Sequence, residues 1–502
     1  MKYTRIFGYA AALGCLAMAP SCSLNQDPLD TYSDVTEGIT EEQEEIVFST
    51  KSDVDSYLTA MYKLFEDRQE HWYVDMLLIS EAHSDNAYAG TTGAEVVPYE
   101  DNSIEGSNSV LLRDWTRFLE DAAVATKLIT NIDKVADGSV SEAEQHVYEA
   151  QARLFRALVW FDMVRLWGNI PIITTTAGNI TSENVGEMYN AYFPAQNTEE
   201  EAYKAIETDL LYAEQYAPAN SGDKTRLSRG VAHAMLAKIY AEKPLRNYAK
   251  VIEYADKCVA DGYALVDDYS TLWAVGDSFE PVRNTSESIL EAHFFTGAGN
   301  WCSWMFGNPV DNPGTNFTWA KWVTPSRDLS ACFNANGDTK RYAEAVAFYS
   351  CTWSNYYPAD NYAFMNKCRS EFSSLIKLRL ADILLLKAEA LIQNGQLADG
   401  AAIIDRIRSR AGIAPLDAAK KGSKEALINA LLDERRMELA MEGQRWFDLC
   451  RLDKVEEVMN AVYSKDSGRH AQRSPFTEFS YKMPIPQSAI DQNDNLVQNP
   501  GY

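Results

Sequence analysis

The side chains of this 502-residue chain best suited to chemistry are flat aromatic rings set beside amides, carboxylates and guanidinium groups. They concentrate in two stretches. Residues 267–374 carry Trp273, Trp301, Trp304, Phe317, Trp319, Trp322, Tyr342, Tyr349, Trp353, Tyr356, Tyr357 and Tyr362, broken by turn signals such as residues 311–314 and 334–338. Residues 85–102 add further rings and amides between glycines. A sugar ring offers one face of C–H groups and an edge of hydroxyls, so it fits an exposed ring flanked by Asn, Asp, Gln or Arg. Between Trp301 and Tyr357 the Trp and Tyr positions follow no single helical or strand period, so they do not all face one core. The candidates for ligand contact are therefore Trp301, Trp304, Trp319, Trp322, Tyr356, Tyr357 and Arg369 from the first stretch, and Tyr88, Tyr99 and Asn102 from the second. The plain alternative for each ring is a core anchor, and for Arg369 a structural ion pair.

Other chemistries find little. His71, His83, His146, His233, His293 and His470 are scattered, with no HExxH, no paired cysteines at metal spacing, no Gly-x-Ser-x-Gly and no phosphate loop. No catalytic residue, metal site or cofactor is assigned, and the chain reads as a binder rather than an enzyme. Carboxylates are abundant, but a glycosidase pair is defined by a separation of about 5 to 9.5 Å in space, which spacing along the chain does not give. The net charge of −26 excludes nucleic acid as a partner, because no surplus of Lys and Arg exists to displace phosphate counterions. It also disfavours adsorption to anionic lipid and heavily charged glycans.

The elements that must position these groups are mainly helices. From Thr50, the positions Val54, Tyr57, Leu58, Met61, Tyr62 and Phe65 form one apolar face. A loop-rich run over residues 80–109 follows, and residues 115–132 turn helical again. Ser141 with Glu144 is a capping box that opens a helix closed by Gly168 and Pro171. Further helices are expected over 198–216, 229–241, 248–262, 378–394 and 398–411, which pair loosely like degenerate tetratricopeptide repeats. In residues 427–452 charges sit on what begins as an apolar face. Glu434, Arg435, Glu438 and Arg445 are read as an interlocking ion-pair set inside a helix junction, since an unpartnered charge is costly to bury. Gly443 supplies a stop before a second short helix.

Glu434 to Arg451 nearly reproduces ERRxELAFEGxRWFDLxR, with Met441 where Phe is usual, and so resembles the signature of the SusD/RagB family of nutrient-binding surface lipoproteins. The final residues, Tyr481 to Ile490 and Asn493 to Tyr502, resemble that family's terminal P-I-P and N-x-x-L-x-Q-N-P-G-Y. Residues 148–173 are similar to its EAxFLRAxxYFDLVRLWGDVP. The resemblance implies an all-α-dominated fold with about four tetratricopeptide-like helix pairs in a right-handed frame, over residues 50–266 and 375–502. The aromatic insert, residues 267–374, would carry the ligand site. It also implies capture of an oligosaccharide for a SusC-like TonB-dependent transporter at the cell outer membrane. A peptide-binding member of the same uptake system and a repeat scaffold without a small ligand remain alternatives.

Residues 1–21 read as an export signal, with Lys2 and Arg5 before an apolar run too short to span a bilayer comfortably. Cys15 and Cys22 compete as its end. Cys22 follows the whole run and is followed at once by polar chain, as in the family, so Cys22 is the expected lipidation site and residues 22–49 the tether to one domain over 50–502. Simple secretion is the alternative. Of the six later cysteines, Cys351 and Cys368 are the pair expected to bond if any does, the others being small buried hydrophobes.

Overall fold

The computed structural model describes residues 47–502 apart from 91–92, 177–184, 296–298 and 309–320. The expected leader, Cys22 and most of its tether lie outside the described residues. Helix α1 (Lys51–Asp67) starts at a Thr50/Asp53 capping box and buries Val54, Met61 and Phe65. Helix α2 (Ser109–Ile129) is capped by Asn108, and α3 (Glu142–Trp167) begins at the Ser141/Glu144 box and ends at Gly168, whose φ is 73°. Every side chain of α3 from Leu154 to Trp167 is buried, so this helix is central rather than amphipathic. Helices α4 (Glu199–Tyr216), α5 (Arg229–Ala241) and α6 (Tyr248–Ala260) follow. At Gly230 a Cβ would stand 2.5 Å from both Asn220 Oδ1 and the Tyr263 hydroxyl, so only glycine permits that approach.

The insert holds short pieces. Strands β1 (Ala87–Tyr88) and β3 (Thr324–Pro325) pair, as do β4 (Val346–Tyr349) and β5 (Tyr362–Met365), and β2 (Ser288–Ala292) runs antiparallel to β6 (Leu375–Arg379). The β2–β6 ribbon brings the two ends of the insert together. Helices α7 (Trp301–Met305), α8 (Arg327–Asn336) and α9 (Thr339–Ala345) lie between them. The frame resumes with α10 (Leu380–Gln393), α11 (Leu397–Ala411), α12 (Lys424–Glu438) and α13 (Arg445–Arg451). Helix α3 packs on α2 and α4, α5 on α4 and α6, α6 on α10, and α10 on α11 and α12, giving successive helix pairs stacked side by side. Among the described residues no helix is long and apolar enough to cross a membrane.

Residues 434–451 depart from the sequence reading. The helix stops at Glu438, and Met441 and Gly443 take positive φ, 61° and 74°, in the turn that leads to α13. The charges are buried and paired, but Glu434, Arg435, Glu438 and Arg445 pair with other segments and with Asp448 rather than with one another. Glu438 accepts from Arg341 (2.9 Å), Arg379 (2.6 Å) and Arg410, and Glu434 from Arg341 (2.7 Å) and Arg408 (3.0 Å). Arg435 reaches Asp382 (2.7 Å) and Asp448 (2.8 Å), while Arg451 grips Glu389 (2.7 Å) and Asp448 (2.8 Å). Arg445 holds both oxygens of Asp85, at 2.7 and 2.8 Å, and Arg436 adds a third contact at 3.2 Å. Burial alone would push the Asp85 carboxyl up, but Arg436 and Arg445 hold it well below the usual carboxylate range. The start of the expected loop-rich run is therefore interior. Ser80, Glu81, Ser84, Asp85 and Asn86 are all buried, and they serve this network instead of solvent.

Two outcomes are expected. Replacing Asp85 with Ala leaves Arg445 and Arg436 buried with too few partners and costs about 3–5 kcal/mol in urea unfolding. Replacing Asp85 and Arg445 together by Leu and Met costs clearly less than the sum of the single changes. The other outcome concerns Glu81, which accepts from Asn86 Nδ2 (2.7 Å), Gly443 N (2.8 Å) and Met441 N (3.3 Å). Burial pushes its carboxyl up to about 7. The fold thus holds a proton between pH 4.5 and 7 that the unfolded chain releases, so this stabilisation is complete below about pH 4.5 and is lost as pH rises through 7. The stability advantage of the native chain over Glu81→Gln should shrink by up to roughly 3 kcal/mol from pH 5 to pH 8, and parallel profiles would contradict it.

Candidate functional site

Helix α7 presents Trp301 and Trp304 outward and Cys302, Ser303 and then Phe306 inward. The two indoles are three residues apart, so they share a helical face. They are 38% and 36% exposed, against nearly complete burial for Trp72, Trp160, Trp167 and Trp446. Their centroids lie 6.5 Å apart at an interplanar angle of 50°.

So short a helix does not hold itself, and its position is fixed from outside. The Asn300 side chain caps it by accepting from Cys302 N (2.9 Å), and its Nδ2 donates to the Ser373 carbonyl (2.8 Å). Asn300 N donates to the Glu371 carbonyl at 2.8 Å. Gln69 accepts from Trp301 N (2.8 Å) and donates to the Gly299 carbonyl (2.9 Å). At the other end Lys321 Nζ donates to the Trp304 carbonyl, and Trp322 N to the Met305 carbonyl at 3.1 Å. Burial pulls the Lys321 ammonium down to about 7. Gln69, Asn300 and Lys321 were not among the sequence candidates. Asn300 alone left a signal, as an Asn placed where a helix begins.

The other candidates are placed differently. Trp322 is half-buried, and Trp319 lies outside the described residues. Tyr88, Tyr99, Tyr356 and Tyr357 are buried, which corrects the expectation that they face a ligand. Tyr88 stacks on Tyr356 with centroids 4.5 Å apart and donates to Asp466 at 2.6 Å. Tyr356 donates to Glu100 (2.7 Å) and Tyr357 to the Pro325 carbonyl (2.9 Å), so each hydroxyl is satisfied inside and each ring is buried with it. Arg369 is paired with Glu344, the structural reading. Asn102 donates to the Ser474 and Pro475 carbonyls (2.9 and 3.2 Å) and lines a separate surface groove with Phe479 and Tyr502. Cys351 is not bonded to Cys368; its thiol donates to the Trp353 carbonyl at 3.1 Å.

Two interior features also gather polar groups. Asp75 and Asp114 bring carboxyls into contact, and burial followed by the Asp75 charge holds Asp114 well above the usual range. Both are fully buried, with Arg113 paired to Asp75, so no substrate reaches them. A narrow cavity of about 70 Å³ runs among Trp72, Trp273, Lys238, Lys367 and Lys377, room for a few waters and not for a sugar ring.

Residues 373–502 match the model of the SusD family, and residues 29–241 match a model described as starch-binding associating with outer membrane. The two matches do not overlap and together span more than half of the chain. The SusD-like protein P2 of Formosa agariphila is 23% identical, over 91% of this chain and 94% of its own length. The solved structure of a SusD superfamily protein from Bacteroides vulgatus superposes with a TM-score of 0.73 at 18% identity, covering 90% of this chain and 99% of that one. A laminarin-binding SusD-like protein superposes at 0.70 with 22% identity, over 91% of this chain and 100% of its own. At such identities the structural likeness establishes the fold.

Exposure separates the two groups of rings in stability. Trp301→Ala and Trp304→Ala should each cost less than about 1 kcal/mol, whereas Tyr99→Ala should cost about 3–5 kcal/mol, read from urea midpoints. Equal losses would mean that the α7 indoles are core anchors.

Proposed function

The chain belongs to the SusD/RagB family, and from that premise we propose that it captures an oligosaccharide at the cell surface and delivers it to a SusC-like TonB-dependent outer-membrane transporter. In this reading a lipid on Cys22 anchors it to the outer membrane, the helical frame bears on the transporter, and the insert faces the ligand. The observation that carries it is the pair of exposed indoles on α7, fastened from Gln69, Asn300, Lys321 and the 371–373 backbone. Rings held this way lose little freedom when a ligand stacks on them, so more of the contact energy is kept as affinity. Half-buried Trp322 borders the same helix through its amide and is the third proposed contact. The starch-binding description of the matched family model and the laminarin named for the structural neighbour point to neutral glucans as the first ligands to try. The role is binding and hand-over, not bond cleavage.

Calorimetry of the soluble chain with malto- and laminari-oligosaccharides tests this, with a peptide panel alongside. A glucan should bind, and Trp301→Ala with Trp304→Ala should weaken it at least about tenfold while leaving the unfolding midpoint near that of the native chain. Unchanged affinity in the double variant, or binding confined to peptides, would overturn the reading.

A further inference from the structure

Six cysteines follow Cys22, and the fold brings the free thiols of Cys302 and Cys368 together. Cys302 is on the inner face of α7, and Cys368 is on the segment after β5; they are 0% and 3% exposed, and the two thiols interact. The backbones that carry them are fastened on both sides of the pair. Asn300 N meets the Glu371 carbonyl at 2.8 Å, Met365 N meets the Phe306 carbonyl at 3.2 Å, and Gly307 forms a parallel bridge with Met365. A Cβ at Gly307 would stand 2.9 Å from the Cys368 carbonyl oxygen, which shows how close the two segments run. Cys450, by contrast, turns its thiol to the Tyr481 carbonyl.

We propose that Cys302 and Cys368 are a modification site, joined by a disulfide in the exported protein, which locks the inner face of α7 to the segment over residues 366–373. Two S–H bonds break and one S–S bond forms. The two electrons and two protons pass to a disulfide-bonded protein oxidant of the export compartment, which becomes a dithiol. Burial pushes the Cys302 thiol up and denies it the thiolate form, so exchange occurs while the chain is still folding. Once α7 packs, the bond is sealed from reductants until the chain unfolds. The closed loop contains α8, α9, β4 and β5, so the bond also restricts the unfolded chain. Its place outside the cytoplasm rests on the proposed cell-surface role; the pairing rests on the fold alone.

The full chain, recovered from cells that export it, is denatured in an alkylating reagent without reductant, digested and analysed by mass spectrometry. A peptide linking Cys302 to Cys368, lost on reduction, is expected. Alkyl groups on both cysteines, or Cys368 joined to another partner, would overturn the proposal. Unfolding and refolding in reductant should lower the unfolding temperature of the native chain by about 5 °C and leave Cys302→Ser with Cys368→Ser unmoved. An equal effect of reductant on both would also count against it. None of these readouts involves a sugar, so failure of glycan binding would leave them intact.

Discussion

Guanidinium groups buried against carboxylates from remote parts of the chain are the constraint on which this structure depends. Glu438 alone gathers Arg341 from α9, Arg379 from the end of β6 and Arg410 from α11. Asp85 is clasped by Arg445 and Arg436, more than three hundred residues away. Each ion costs several kcal/mol to bury, and only a complete set of partners offsets that cost. The network therefore forms when the early segment, the insert and the terminal helices are all in place, and hardly before. This favours one arrangement of the frame over looser ones more than it adds net stability.

That demand explains how a surface platform can rest on so small a helix. Residues 69–86 run from Gln69, which holds α7, to Glu81 and Asp85, which hold residues 441–445. The same stretch contains two π-helical turns, Glu70–Val74 and Leu78–Ala82, an irregularity that turns buried polar groups toward their partners. Trp301 and Trp304 are thus connected to the ion network through one continuous segment.

Much of the frame was legible in the sequence because its signals are local. The Ser141/Glu144 box, Gly168 and the apolar face of α1 each set an element boundary or orientation without help from the rest of the chain. The buried charges of residues 434–451 were legible as ion pairs, but their partners were not, since Asp85, Arg341 and Asp382 are supplied by tertiary folding. Exposure failed for the same reason. Tyr88 and Trp301 look alike as aromatic residues in turn-rich chain, and only the arrival of Tyr356 and Asp466 seals the first while the second stays open.

If the ion network holds the tryptophan platform in place, the two form one cooperative body. Native-state hydrogen exchange across a denaturant series tests this, through the amides of Trp301 in α7 and of Phe306 just after it, and those in the middle of α12. Both sets should lose protection together, in the global transition. Exchange at α7 through a separate opening, well below the denaturant needed for α12, would contradict it.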